Sequence, residues 1–212
     1  MRVNKRALVI FDFDKTLVTV DSFRLFSLIA AETWWKRGLV LALAVACRFK
    51  VIDNARYKLF VLRLVWAGKA KEQKSRILNA LYRCLDAVQN AEIVGSMVGH
   101  LNRNDDVIVI SASPDFYLKS YVESLWTNVK VFASAYHEHD GRVSLRNLYR
   151  EEKVICAKRL LADLSPVEVV FYTDHISDAP LMKMADLTKI VRPSKRLCGK
   201  LHKMGIEFIT VG

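Results

Sequence analysis

The sequence predicts an α/β protein: a Rossmann-like parallel sheet flanked by helices, with a helical cap inserted after the first strand. Three observations predict it. Short apolar runs at residues 7–11, 107–110 and 167–173 have the length of strands buried on both faces. Helical patterns alternate with those runs, the order that gives a parallel sheet covered on both sides. The runs also end in polar groups: Asp12 and Asp14, Ser111, and Asp174 with Asp178. Ligands of open parallel sheets bind at the strand C-termini, so these ends mark a crevice. Residues 1–19 and 96–212 are expected to form the core, and residues 20–95 the cap.

The first run, ALVIF, leads straight into Asp12 and Asp14. Buried charge is costly unless it is paired or bound to a cation. D-x-D at this place is therefore either a solvated turn or the opening of a polar site. Asp21 or Ser22 caps a helix with Phe23, Phe26, Ile29 and Ala30 on its apolar face and Gly38 as its stop. Residues 39–47, LVLALAVAC, are apolar all round. That run is too short to span a bilayer, which needs about 20 residues. It reads either as a buried helix of a small bundle or as a helix against a membrane interface. In the second reading Lys36, Arg37, Arg48 and Lys50 reach lipid phosphates.

Asp53 or Asn54 starts a third helix through Tyr57, Phe60, Val61, Leu64 and Val65, ending near Gly68. A fourth covers residues 71–88, and a fifth, residues 91–101, leads back to the sheet. After the strand at 107–110, Pro114 suits the first position of a helix with Ser113 as its cap, which leaves Ser111 between strand end and helix start. Residues 129–134 form the next strand, and Asp140-Gly141 signals a hairpin carrying His137 and His139 at the surface. In the helix at 150–163, Glu151 and Glu152 suit the dipole, whereas Lys153 is mildly unfavourable unless it faces an anion. The strand at 167–173 leads to Asp174 and Asp178, the latter also a plausible cap for the helix at Ala179-Pro180. Residues 188–191 and 208–211 make two short late strands.

Composition bounds the function. With 212 residues, 52% of them hydrophobic, the chain can bury the core of one domain and its insertion. The net charge of +11 fits nucleic acid, an anionic membrane or an anionic substrate as partner. Residues 22–100 hold thirteen Lys and Arg against five Asp and Glu, or +8 of that charge, although a solvated helical face would look the same. No nucleic-acid motif accompanies it, so no nucleic acid is expected. Cys47, Cys84, Cys156 and Cys198 lack zinc-site spacing and are expected to be buried thiols of a reducing compartment. Lys5 and Arg6 precede too few apolar residues for a signal-peptide core, so a cytoplasmic place is expected, with the inner face of a membrane as an extension of it.

A parallel sheet would bring Asp12, Asp14, Ser111, Lys153, Asp174 and Asp178 to one edge. Several carboxylates in one crevice repel, and Mg²⁺ resolves this with one or two carboxylates, waters and a phosphate oxygen. A hydroxyl, backbone N–H groups and a lysine beside the metal suit phosphoryl transfer.

D-F-D-K-T-L-V, the strand ending in Ser111, Lys153, and T-D-H-I-S-D occur in the order found in the haloacid dehalogenase superfamily of aspartate-nucleophile phosphatases, which the chain resembles along most of its length. The insertion resembles the cap of its phosphoserine-phosphatase-like subgroup. The resemblance implies a Mg²⁺-dependent phosphomonoester hydrolase. It implies that Asp12 attacks phosphorus to form an aspartyl-phosphate and that Asp14 acts as general acid and then base. Ser111, Ala112 and Lys153 would hold the phosphoryl oxygens. Asp174 would bind Mg²⁺ with Asp12 and the Asp14 carbonyl oxygen, and Asp178 would support the metal shell or Lys153. Two features depart from the pattern: Lys15 stands where glycine is common, and T-D-H replaces a G-D-G opening. Serine-recognising cap residues are not evident.

The apolar, basic cap helices are also similar to those of bacterial phosphatidylglycerophosphate phosphatases, which implies a lipid headgroup as an alternative to a small phosphorylated metabolite. Two other classes compete on the same residues: a non-catalytic membrane- or nucleic-acid-binding protein, and a phosphotransferase to an alcohol. Oligomeric state is not legible.

Overall fold

The computed structural model describes residues 6–140 and 142–212. Lys5, from the leader reading, and Gly141, from the expected hairpin turn, lie outside the described residues. The chain enters the sheet at β1 (Leu8–Phe11), which is buried on both faces. Five helices then intervene before the chain returns to the sheet: α1 (Ser22–Ala30), α2 (Trp34–Arg48), α3 (Asn54–Val65), α4 (Lys71–Ala87) and α5 (Ala91–Asn102). The remainder alternates strand and helix: β2 (Asp106–Pro114), α6 (Asp115–Leu125), β3 (Lys130–His139), β4 (Arg142–Arg146), α7 (Glu151–Leu164), β5 (Val169–Thr173), α8 (Ala179–Met182), β6 (Leu187–Val191), α9 (Lys195–Lys203) and β7 (Ile209–Val211).

The sheet order is β4-β3-β2-β1-β5-β6-β7, parallel except for the β3–β4 pair. This bears out the expected fold class. Strand β1 has β2 on one side and β5 on the other, so the order reverses there and a crevice opens at the strand C-termini. Phe11 pairs with Val109 of β2 and Tyr172 of β5, which brings the residues just beyond them to one edge.

Side chains alternate along each strand. Val9, Phe11, Val109 and Tyr172 join the apolar layer shared with the inserted helices, whereas Leu8, Ile10, Ile110 and Phe171 face α7, α8 and α9. An aromatic cluster ties the insertion to α6. Phe26 stacks on Tyr117 with ring centroids 5.5 Å apart, and Trp66 stacks on Phe116 at 4.6 Å.

Several local expectations change. Gly38 is no helix stop: α1 ends at Ala30, and Gly38 lies inside α2. The chain breaks instead at residues 31–33, where Glu32 turns to pair with Lys69 at 2.6 Å. The apolar run at 39–47 is not a buried bundle helix, since Val40 alone in α2 is buried. The insertion covers α2 along one narrow side only. Strand β5 begins at Val169, two residues later than expected. Ser113 is not the cap of α6. Strand β2 continues to Pro114, which is itself the extended N-cap, and the Ser113 hydroxyl is used elsewhere. The cysteines are free but not buried: Cys84 is exposed and the other three are partly covered. Cys47 and Cys156 pack against the two apolar clusters without being enclosed by them.

Candidate active site

Asp12 leaves the C-terminal end of β1, its amide donating to the Tyr172 carbonyl oxygen at 2.9 Å. Its carboxylate is buried and accepts from Lys153 Nζ at 2.9 Å. The same ammonium donates to Asp178 Oδ2 at 3.1 Å, and Thr173 Oγ1 donates to that oxygen at 2.9 Å. Lys153 therefore faces two anions, which answers the unfavourable placement of a cation in the first turn of α7. Asp178 does start α8, but its side chain makes no capping bond because it is taken by Lys153 and Thr173.

Burial raises the Asp12 carboxyl above the ordinary carboxylate range. Lys153 opposes this, while Asp178, Asp174 and Asp14 add to it. Burial alone would lower the Lys153 ammonium, but Asp12 and Asp178 outweigh it and hold the group above its ordinary value. Asp174 is pushed up to about 6, first by burial and then by Asp178 and Asp14, with Lys15 pulling the other way.

Asp14 is held differently. Its Oδ1 accepts from the Ser22 amide at 2.7 Å and its Oδ2 from the Ser113 hydroxyl at 2.6 Å. Ser22 Oγ lies 2.9 Å from Ser113 Oγ and 3.0 Å from the Tyr117 hydroxyl. An ionised carboxylate only accepts, so the protons run Tyr117 to Ser22 to Ser113 to Asp14. Burial raises the Asp14 pKa, and the Ser113 and Ser22 bonds lower it. Sequence reasoning missed Ser22, Ser113, Tyr117 and Thr173 as site residues. Only the repeat of Ser at 111 and 113 hinted at one of them.

Ser111 is buried within β2, three residues before its end and not between strand end and helix start as expected, because the strand runs on to Pro114; its oxygen accepts from the Ser113 amide at 3.1 Å. The Ala112 carbonyl oxygen accepts from Ser134 Oγ at 2.7 Å and from Lys58 Nζ at 2.5 Å. Lys58 comes from α3, is buried, and also reaches Asn147 Oδ1 at 3.2 Å. Burial pulls its pKa down to about 8. It too was missed, although a signal existed: positions 58, 61, 62 and 65 share one helix face, so Lys58 is a cation on an apolar stripe.

The groups that could hold a cation here are the carboxylates of Asp12 and Asp174 and the backbone carbonyl of Asp14. The Asp14 side chain is committed to Ser22 and Ser113. Accordingly, no group of three or more His, Cys, Asp or Glu among the described residues gathers as a metal cluster. Two carboxylates and a carbonyl are hard oxygen donors, and they fit a Mg²⁺ ion that keeps several waters. The buried Asp178 Oδ1, which has no partner among the described residues, fits a water beside such an ion. Lys15 takes a left-handed conformation, φ 57°, which costs a side-chain-bearing residue about 1–2 kcal/mol.

The family model for haloacid dehalogenase-like hydrolases matches residues 9–183. The chain belongs to that family. The hydrolase shares its fold with a protein with unknown function from Bordetella pertussis Tohama I, at 21% identity over 97% of this chain and 99% of that one, TM-score 0.83. A phospho-aspartyl intermediate analogue of phosphoserine phosphatase matches at 17% identity over 98% and 94% of the two chains, TM-score 0.70. Cytosolic 5'-nucleotidase IIIB bound to cytidine matches at 14% identity over 97% and 80%, TM-score 0.64. No curated protein matches the hydrolase in sequence. Family membership bears out the resemblance read from the four motifs. Among the described residues, no helix of the hydrolase is long and apolar enough to cross a membrane.

Proposed function

We propose that this hydrolase is a Mg²⁺-dependent phosphomonoesterase working through an aspartyl-phosphate on Asp12. The observation that carries the reading is the buried chain Asp12–Lys153–Asp178 at the end of β1, with Asp14 on the same loop held apart by Ser113. Asp12 Oδ attacks phosphorus and the ester P–O bond breaks. Protonated Asp14 gives its proton to the departing alcohol oxygen. Water then attacks the aspartyl-phosphate, Asp14 takes its proton, and the P–O bond to Asp12 breaks to release inorganic phosphate. Lys153, the Ala112 amide and the Ser111 hydroxyl hold the phosphoryl oxygens. Among the described residues the Ser111 oxygen accepts from the Ser113 amide and its own proton is not engaged, which leaves it to donate. Mg²⁺ on Asp12, Asp174 and the Asp14 carbonyl would supply charge neutralisation for the phosphoryl group.

Residues 20–95 act in this reading as a cap over the crevice formed by residues 1–19 and 96–212. The substrate is a phosphate monoester, on a small metabolite or on a phospholipid headgroup such as phosphatidylglycerophosphate. The likeness to phosphoserine phosphatase and to cytosolic 5'-nucleotidase supports the first, and the basic cap supports the second. The site of action is cytoplasmic, at or near an inner membrane face. Transfer to an alcohol would use the same residues and would appear as phosphate ester product without free phosphate.

The test is Mg²⁺-dependent phosphate release from phosphoserine, a nucleoside monophosphate and phosphatidylglycerophosphate in mixed micelles, with Asp12→Asn as the control. Turnover is expected to vanish in Asp12→Asn while its circular dichroism is retained. Unchanged turnover in that variant overturns the reading.

A further inference from the structure

Helix α2 is an amphipathic helix turned inside out. Val40 faces inward, flanked by the partly covered Leu43, Ala44 and Cys47. The opposite face carries Trp34, Gly38, Leu41 and Val45, spaced four, three and four residues apart and so aligned in one stripe. Trp34 is 85% exposed, Leu41 45% and Val45 55%, and the turn beyond adds Phe49 at 76% and Val51 at 74%. Scattered exposed apolar side chains need no explanation, but a continuous stripe with its own turn marks a contact surface.

Charge identifies the partner. Residues 34–52 include Lys36, Arg37, Arg48 and Lys50 and no Asp or Glu. None of these four cations is in a salt bridge among the described residues. Lys36, four residues before Val40 and so on the covered side of the helix, sits over the Trp35 ring at 5.5 Å, and Arg37 Nε donates to the Ala31 carbonyl oxygen at 3.0 Å. A second copy would bring the same four cations to the interface and be repelled. A surface of phosphates with apolar material beneath it complements both features. Tryptophans at one helix end suit the depth of lipid headgroups, and a helix too short to cross can lie in the plane of the interface.

We infer that α2 and the turn after it dock this chain on an anionic lipid bilayer, with the Trp34–Leu41–Val45 stripe inserted among acyl chains and Arg37, Arg48 and Lys50 on lipid phosphates. Docking requires no catalysis and stands apart from the reading of the Asp12 site. The two meet through the fold: α2 packs on α3, and α3 carries Lys58 to the Ala112 carbonyl.

The experiment is flotation of the full chain with vesicles of phosphatidylcholine, with and without phosphatidylglycerol. Binding is expected only with the anionic lipid, weakening as salt rises, with a blue shift of tryptophan emission. The triple variant Trp34→Ser, Leu41→Ser, Val45→Ser should bind at least about tenfold more weakly, because three apolar side chains leave the interface. Its circular dichroism and its turnover of a soluble phosphate ester should stay unchanged. No binding of the native chain to anionic vesicles, or equal binding by the triple variant, overturns the inference. A lipid-free dimer of the native chain that this variant dissolves would also overturn it, in favour of a contact between copies. Failure of the catalytic reading shows separately, as vesicle binding without phosphate release.

Discussion

Lys153 faces two buried acids with one ammonium, so its removal leaves both without a counter-charge and Asp178 with only the Thr173 hydroxyl among the described residues. Lys153→Met is expected to abolish turnover and to cost about 3–5 kcal/mol of stability in urea titrations at neutral pH. The loss should shrink in acid, where Asp12 takes up a proton and no longer needs a counter-ion. A variant as stable as the native chain at neutral pH would show that the pair is not buried in solution. Ser113 acts on the other carboxylate. Its hydroxyl bond lowers the Asp14 pKa, so Ser113→Ala should raise it. The expected outcome is a pH–rate profile whose Asp14 limb moves to higher pH, measured on a soluble ester. A profile that falls in height without moving would mean that Ser113 positions Asp14 and does not tune it. Lys58 was legible only as a cation among Tyr57, Val61, Leu62 and Val65. Its target, the Ala112 carbonyl, was not legible, because fifty-four residues separate them in the chain.

The ends of β1 and β5 set the electrostatics of the crevice. Asp174 keeps its proton up to about 6 in the folded chain, against 3.8 ordinarily, and burial also holds Asp12 above the usual range. A carboxyl raised in this way binds more protons in the native state than in the unfolded chain. Without metal, the contribution of both groups to stability is therefore greatest below about pH 4; that of Asp174 is lost as pH rises through about 6 and that of Asp12 through about 8. A bound divalent cation reverses the cost, since it needs the ionised form. Mg²⁺ should raise the melting temperature clearly at pH 8 and little at pH 5, measured by calorimetry. An equal shift at both pH values would place the ion away from Asp12 and Asp174. The helices show a different lesson. Asp21 and Asp53 cap α1 and α3 as their sequence positions suggest, accepting from the Arg24 and Arg56 amides. Ser113 also had the right position for a cap, yet its hydroxyl donates to the Asp14 carboxylate, a charge-assisted bond stronger than one accepted from an orphan amide of α6.

Across the whole molecule, one apolar cluster runs from Val9 and Phe11 of the sheet into Phe26, Leu62 and Leu81 of the insertion. Insertion and sheet share this core and should unfold together. Trp66→Ala, which removes the ring stacked on Phe116, is expected to cost about 3–5 kcal/mol. Near- and far-ultraviolet dichroism should both show a single transition, lowered by the same amount. Two separated transitions would mean that the insertion is stable on its own. The sequence by itself determined that the strands exist and form a parallel sheet, and that Asp12, Asp14 and Asp174 follow β1 and β5. Those features are local: an apolar run followed by Asp or Ser is visible within ten residues, and a parallel sheet then has little choice about where the ends meet. Only the tertiary structure decided that Asp14 is held by Ser22 and Ser113, that Lys58 reaches Ala112, and that α2 shows its apolar stripe to solvent. A helix apolar on every side has no polar face to mark the outside, so what it buries depends on which elements cover it, and that information lies elsewhere in the chain.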